Sequence, residues 1–259
     1  MVPILNIASY KFTRLSGLPE WRDVLLKKAN QLNLKGTILL SFEGININLA
    51  GFPENIDPFV EFLLKRENLS DLTFRKSYSD FQPFKHMQVK IKPEIITLKQ
   101  PDIHPEQETA PHISPQEFKK WLDEARDITI LDTRNQYEVE FGTFDHAENL
   151  HLEDFSEFPE AISRISRKKP VVMFCTGGIR CEKASSVMLK AGHSQVYQLQ
   201  GGILNYFAEV GKDHYNGECF VFDQRIALDA NLKPTGTQQC LVCQGPVAAD
   251  SSCVKCEFN

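Results

Sequence analysis

Apolar positions recur along the chain with two different periods, and the period switches several times. Pro3–Phe12 reads as a strand. Pro19–Leu32 places Trp21, Val24, Leu25 and Ala29 at helical spacing, which predicts a helix with those four on one side. Gly36–Leu40 and Ile45–Ala50 read as two strands joined at Ser41–Gly44, a hairpin. Ile56, Phe59, Val60, Leu63 and Leu64 return to helical spacing over Ile56–Arg66, and Val89–Leu98 reads as a last strand. Lys99–His112 then loses all apolar periodicity and holds Pro101, Pro105 and Pro111.

Beyond that break, Ser114 and Glu117 have the spacing of a capping box before a helix over Gln116–Ala125. Ile128–Leu131, Val171–Phe174 and Val196–Leu199 are short continuous apolar runs, the pattern of strands buried on both faces of a parallel sheet. A helix is expected from Arg180–Cys181 to Gly192, which sits where a C-cap glycine belongs. After Gly211 periodicity fades.

The order βαββαβ predicts a ferredoxin-like, acylphosphatase-like α+β domain over residues 1–98. Residues 99–112 read as a linker. Residues 113–211 read as an α/β domain with a parallel sheet, and 212–259 as a tail.

Composition adjusts this picture in two places. The net charge of −5 is uneven: residues 1–98 hold 13 Lys and Arg against 10 Asp and Glu, and residues 99–259 hold 16 against 24. An anionic partner is therefore expected to meet the N-terminal third. No apolar run approaches the roughly 20 residues of a membrane span, and Met1–Lys11 lacks the pattern of a signal peptide, so a cytoplasmic location is expected. In that setting the clustered cysteines among the seven point to metal binding or chemistry rather than to disulfides.

The strongest chemical signal is the run from Val171 to Cys181. A buried strand leads into Cys175, then Thr176, Gly177, Gly178 and Ile179, and Arg180 opens a helix. Two glycines allow backbone N–H groups to converge on one point, the helix end adds partial positive charge, and Arg180 adds a permanent cation. Such a loop stabilises Cys175 as a thiolate; lowering a thiol pKa by roughly 1.5 units takes about 2 kcal/mol. A core cysteine would have no use for this spacing. Cys181, six residues on, reads equally as a partner that resolves an oxidised or persulfidated Cys175 and as a packing residue. Asp132 and Arg134 are expected at a strand end as an ion pair bracing the loop, with direct anion contact the lesser reading.

Two further patterns stand outside the loop. Cys240-x2-Cys243 and Cys253-x2-Cys256 supply four thiolates suited to one structural zinc ion, against a reading of four free thiols. Phe74–Lys92 interleaves Phe74, Tyr78, Phe81 and Phe84 with Arg75, Lys76, Lys85, Lys90 and Lys92, which suits stacked bases and phosphates but equally a strand pair with a solvated face.

The Cys-x4-Arg loop resembles the active-site loop of rhodanese-type sulfurtransferases; the related phosphatases use Cys-x5-Arg. Leu131-Asp132-Thr133-Arg134 and Leu199-Gln200-Gly201-Gly202-Ile203 resemble two other signatures of that fold. Phe174–Ser185, Asp132–Glu140, Glu43-Gly44-Ile45-Asn46 and Gly217–Asp223 are similar to one subfamily, the bacterial oxygen-dependent tRNA uridine hydroxylases. That resemblance spans nearly the whole chain. It implies a ferredoxin-like domain, a rhodanese domain and a cysteine-bearing tail. It also implies hydroxylation of the wobble uridine to 5-hydroxyuridine with molecular oxygen, and an anticodon loop as partner. It further moves Lys85, Lys90 and Lys92 toward RNA contact. Glu43 and Asn46 become candidates to touch the base, against plain turn chemistry. Cys175 would act as thiolate or persulfide. No flavin or haem motif is visible. The loop alone favours a second reading, a sulfurtransferase that passes persulfide sulfur to an acceptor, and a binding module without catalysis is a third.

Overall fold

The computed structural model describes residues 3–256. It divides into two compact units, Met1–Thr97 and Leu98–Asn259. In the first, β1 (Ile4–Phe12), α1 (Leu18–Gln31), β2 (Lys35–Ser41), β3 (Gly44–Gly51), α2 (Pro53–Leu64), β4 (Arg75–Ser79) and β5 (Met87–Ile91) follow in order. The sheet runs β4-β1-β3-β2-β5. The β2–β3 hairpin turns through Phe42 and Glu43 into Gly44, whose φ is +151° and where a Cβ would stand 2.1 Å from the Lys11 carbonyl oxygen, so no side chain fits. Ile38, Leu40, Ile45, Ile47 and Leu49 meet Leu25, Ala29, Ile56, Phe59 and Leu63 in one core. Each fully buried large side chain there contributes roughly 1.5–3 kcal/mol.

Three expectations need correction. The strand predicted at Val89–Leu98 is β5, which ends at Ile91 and pairs parallel with β2 at the sheet edge. The fourth strand of the ferredoxin order is instead β4, antiparallel to β1. Its pattern Arg-Lys-Ser-Tyr-Ser is too polar to signal a strand, because an edge strand keeps only part of its surface dry. Val24, grouped with the inward face of α1, is 45% exposed; Leu18, Leu25 and Ala29 define the buried stripe. β4 and β5 lie at opposite edges of the sheet, so the aromatics and cations of Phe74–Lys92 do not share one strand pair.

The second unit contains β6 (His112–Ile113), α3 (Pro115–Asp123), β7 (Thr129–Asp132), α4 (Gln136–Val139), β8 (Gly142–Phe144) and β9 (Glu148–Asn149). Then come α5 (Phe158–Ala161), β10 (Val171–Phe174), α6 (Ile179–Lys190), β11 (Val196–Leu199), α7 (Gly202–Glu209) and the short strands β12 (Tyr215–Gly217), β13 (Cys219–Phe220) and β14 (Ala227–Leu228). Its main sheet, β6-β11-β10-β7-β9, is parallel throughout. Phe144 is the hub of its aromatic core, edge-on to Phe118, Phe174, Tyr206 and Tyr215 at centroid distances of 4.8–5.3 Å. At α3 the Ser114 hydroxyl accepts the Glu117 N–H at 3.2 Å, but the Glu117 carboxylate accepts the Trp121 indole N–H instead of closing the box.

The segment expected to be a linker lies along α6. The Ala110 N–H donates to Ser185 Oγ (3.1 Å), Ser186 Oγ donates to the Glu108 carbonyl (2.5 Å), and Gln198 Nε2 donates to the Ala110 carbonyl (2.7 Å). This explains how Arg180 to Met188 are buried without a break, Glu182 and Lys183 included. The expected tail also begins inside the core, where Tyr215 and Cys219 are buried. Among the described residues, no helix is long and apolar enough to cross a membrane.

Candidate active site

β10 delivers Cys175 to the head of α6, and the turn between them is Thr176-Gly177-Gly178. Gly178 takes φ +98° at the helix N-cap, a conformation that turns its N–H onto the sulfur at 3.0 Å. The carbonyls of the same turn are held from behind. The N–H groups of Ile203 and Leu204, at the start of α7, donate to the Cys175 and Thr176 carbonyls at 3.0 and 3.2 Å. Gly202 approaches so closely that a Cβ there would stand 2.3 Å from the Cys175 carbonyl oxygen. Carbonyls pinned outward leave the N–H groups of the loop facing inward, which is the anion nest.

Cys175 is only 1% exposed. Burial is the largest single influence and pushes its thiol upward. The Cys181 S–H, the Arg180 charge and the N–H groups of Arg180 and Gly177 together outweigh it and bring Cys175 down to about 5 from the ordinary 9.0. The direction favours the thiolate, and several donors besides the helix end contribute to it. Cys181 is fully buried. Burial, then the hydrogen bond to Cys175 and its charge, push it well above its usual range, so it serves as a neutral donor. Thr133 Oγ1 lies 3.8 Å from Cys181 Sγ and donates to the Phe174 carbonyl at 3.0 Å.

Arg180 does not end at the sulfur. Its guanidinium makes a bidentate pair with Glu138, at 2.5 and 2.6 Å, in a site where Glu138 is wholly buried. Burial works against the arginine charge and the Glu138 carboxylate more than offsets it. Glu138 also accepts the Asn135 N–H at 3.1 Å, which fixes α4 beneath the pair. A second pair, Asp132 and Arg134, is fully buried and closed on itself at 2.6–3.2 Å, with Arg134 also donating to the Gly142 carbonyl at 2.6 Å. Their proposed anion contact is therefore corrected: with no exposed surface, they brace the strand end. Glu138 was missed from the sequence, although Asn135 and Glu138 carry capping-box spacing. Cys219 was missed as well; burial pushes it to about 12 beside the Arg134 charge.

The other expected contacts lie in the first unit. Glu43 Oε1 accepts the Ile95 N–H at 2.7 Å, and Asn46 Nδ2 donates to the Ile95 carbonyl at 3.3 Å. Both side chains tie down the chain after β5. Lys85, Lys90 and Lys92 are exposed, as are Tyr78 and Phe81.

In the tail, the Sγ atoms of Cys240, Cys243, Cys253 and Cys256 all lie within 4.8 Å of one another. Cys240 stands 3.7 Å from Cys256, and Cys243 stands 3.6 Å from Cys253. Thiolates about 2.3 Å from one tetrahedral zinc ion are spaced by about 3.8 Å, so the donor set fits. Lys255 pairs with Glu140 at 2.6 Å and fastens the second knuckle beside α4.

Fold and loop together define a rhodanese-domain thiol protein with an acylphosphatase-like N-terminal unit. A family model described as the UPF0176 acylphosphatase-like domain matches residues 4–95, and the rhodanese-like domain matches 114–209. The chain is 49% identical over 255 residues to a tRNA uridine(34) hydroxylase of Cupriavidus pinatubonensis, covering 95% of this chain and 90% of that one. It is 46% identical over 260 residues to a protein of the same name from Paraburkholderia xenovorans, covering 96% and 91%. The chain belongs to the tRNA uridine(34) hydroxylase family. A rhodanese-like domain from Anabaena sp. also aligns, at 22% identity and a TM-score of 0.36 over 41% of this chain and 79% of that one.

Proposed function

We propose that this chain hydroxylates C5 of the wobble uridine of tRNA, giving 5-hydroxyuridine, with Cys175 as the essential thiol and molecular oxygen as co-substrate, its second atom leaving as water with two electrons from an external reductant. The observation that carries the reading is the loop itself, where the Gly178 N–H meets a buried Cys175 sulfur at 3.0 Å and the surrounding donors lower its thiol pKa, in a chain of this family. The N–H groups of Gly177, Gly178 and Arg180 hold its charge within the turn that Thr176 and Ile179 complete, Cys181 donates to it, and Arg180 stays cationic on Glu138. A sulfur anion adding to C6 of uracil, the Cys175 thiolate or the outer sulfur of its persulfide, forms a C–S bond and moves the C5–C6 π pair toward C5 and O4, which makes C5 the reactive carbon. Lys85, Lys90 and Lys92 offer exposed cations to the anticodon loop's phosphates. A tRNA substrate implies a cytoplasmic enzyme. Cys240, Cys243, Cys253 and Cys256 would hold a structural zinc ion, which supplies folding energy to the tail rather than chemistry.

The depth of Cys175 favours a persulfide as the working form. The outer sulfur of a persulfide stands about 2 Å beyond the cysteine sulfur, which extends the reach of a group only 1% exposed. Cyanide strips that outer sulfur as thiocyanate. Activity lost on cyanide treatment and regained with a sulfur donor supports the persulfide; unchanged activity assigns the thiolate. The reading as a whole is tested by mass spectrometry of tRNA from cells whose only copy carries Cys175→Ala. Loss of 5-hydroxyuridine-derived nucleosides is expected, and undiminished modification overturns it.

A further inference from the structure

Phe222 is 65% exposed, although Phe220 and Val221 before it are 4% exposed. A single exposed aromatic needs no explanation on its own, but this one is presented by a braced hairpin. β13 and β14 pair antiparallel, and the Val221 N–H donates to the Ile226 carbonyl at 2.8 Å. At the tip, Arg225 closes on Asp223 through its N–H, Nε and Nη2 at 3.0, 2.8 and 2.6 Å, with both side chains almost wholly buried. Asp132 and Arg134 use the same three-point clamp beside the Cys175 loop. Ile226 is held at φ +63°, a region that β-branched residues avoid and that persists only where the surroundings impose it.

The ring so presented sits at the catalytic loop. The Arg180 guanidinium lies 5.8 Å from its centroid, and Phe220 backs it edge-on at 5.1 Å. Arg180 is also the residue whose own N–H faces Cys175. The ring therefore lies one side chain from the thiolate, with its cation side occupied by Arg180 and much of its surface open.

We propose that Phe222 is a stacking platform for the pyrimidine base presented to Cys175. This rests on the proposed reading of the chain as a tRNA hydroxylase. An aromatic face accepts a base without demanding a particular hydrogen-bond pattern, and a clamped hairpin holds it at a fixed place.

The test uses the full chain and two stem–loop RNAs, one with uridine at the wobble position and one abasic there. Phe222→Ala is expected to weaken binding of the uridine RNA by about 5- to 150-fold and to leave the abasic RNA unchanged. Phe222→Trp is expected to restore it. The pH midpoint for alkylation of Cys175 stays where it is in the wild type. Equal weakening of both RNAs, no weakening, or a moved midpoint overturns the platform. A wild-type chain that prefers uridine RNA through Phe222 yet forms no 5-hydroxyuridine leaves the platform standing and overturns the hydroxylase reading.

Discussion

Five of the seven cysteines lie in two settings that differ in what faces the sulfur. Cys175 is buried in a turn whose N–H groups converge on it, beside a neutral thiol and a cation already paired with Glu138. The four tail cysteines are half-exposed and face chiefly one another. In the first setting the protein itself stabilises one negative charge. In the second it gathers four sulfur donors at a spacing suited to an added cation. The same side chain is thus a reactive centre or a clasp according to whether the neutralising charge belongs to the fold.

Replacing one sulfur in each setting gives the widest separation. Cys175→Ala is expected to lower 5-hydroxyuridine formation by on the order of 10³-fold or more, with the fold intact by circular dichroism. Cys243→Ser should leave turnover within a few-fold while abolishing stoichiometric zinc in metal analysis. Equal losses from the two changes would erase the distinction.

Next in size is Glu138→Gln. Breaking a buried pair by removing one partner typically costs about 3–5 kcal/mol, measurable by denaturant unfolding. Arg180 remains charged near the sulfur, so Cys175 should still be alkylated at low pH. A thiol returned to ordinary behaviour would show that Glu138, rather than the loop, sets the thiolate.

A smaller effect follows from pH. Against burial, the folded loop lowers the Cys175 thiol from the ordinary 9.0 to about 5 through the Cys181 S–H, the Arg180 charge and backbone N–H groups. Its contribution to stability is complete above 9, shrinks by about 1.4 kcal/mol per unit as pH falls between those limits, and is gone below 5. Cys181 moves upward and stays neutral in both states below pH 9, so it does not offset this. The difference in unfolding free energy between the wild type and Cys175→Ser should carry that slope from pH 6 to 8.

The smallest effect is expected from Lys255→Ala. Its pair with Glu140 is exposed on the lysine side, so about 0–1 kcal/mol is at stake. Zinc stoichiometry should not change.

The loop was legible in the sequence because its chemistry is local: sulfur, glycines and helix start occupy consecutive positions. The buried parallel strands were legible for a similar reason, since continuous apolar runs of four residues have few other uses. Glu138 was not, because its partner lies 42 positions away and a carboxylate at a helix start has an ordinary capping role. The polar edge strand β4 escaped because an edge surrenders the alternation that marks a strand. The prolines of residues 99–112 looked like a spacer, yet prolines and polar side chains also suit a strap that bonds through its backbone, as Ala110 and Glu108 do on Ser185 and Ser186. Glu43 and Asn46, read both as turn residues and as candidates to touch the base, have a tie to the Ile95 backbone that their spacing did not signal.

The pairing of Arg180 with Glu138 has a consequence for what can inhibit this site. In phosphate-handling loops the arginine is the fork that grips the oxyanion. Here both prongs are engaged by a carboxylate of the same chain, and the neighbouring Arg134 is closed on Asp132. An inorganic phosphate or sulfate arriving at the loop meets backbone donors already turned toward a charged sulfur. Both arginines beside the loop are thus already neutralised within the chain, so an incoming anion would have to displace a carboxylate to reach either fork.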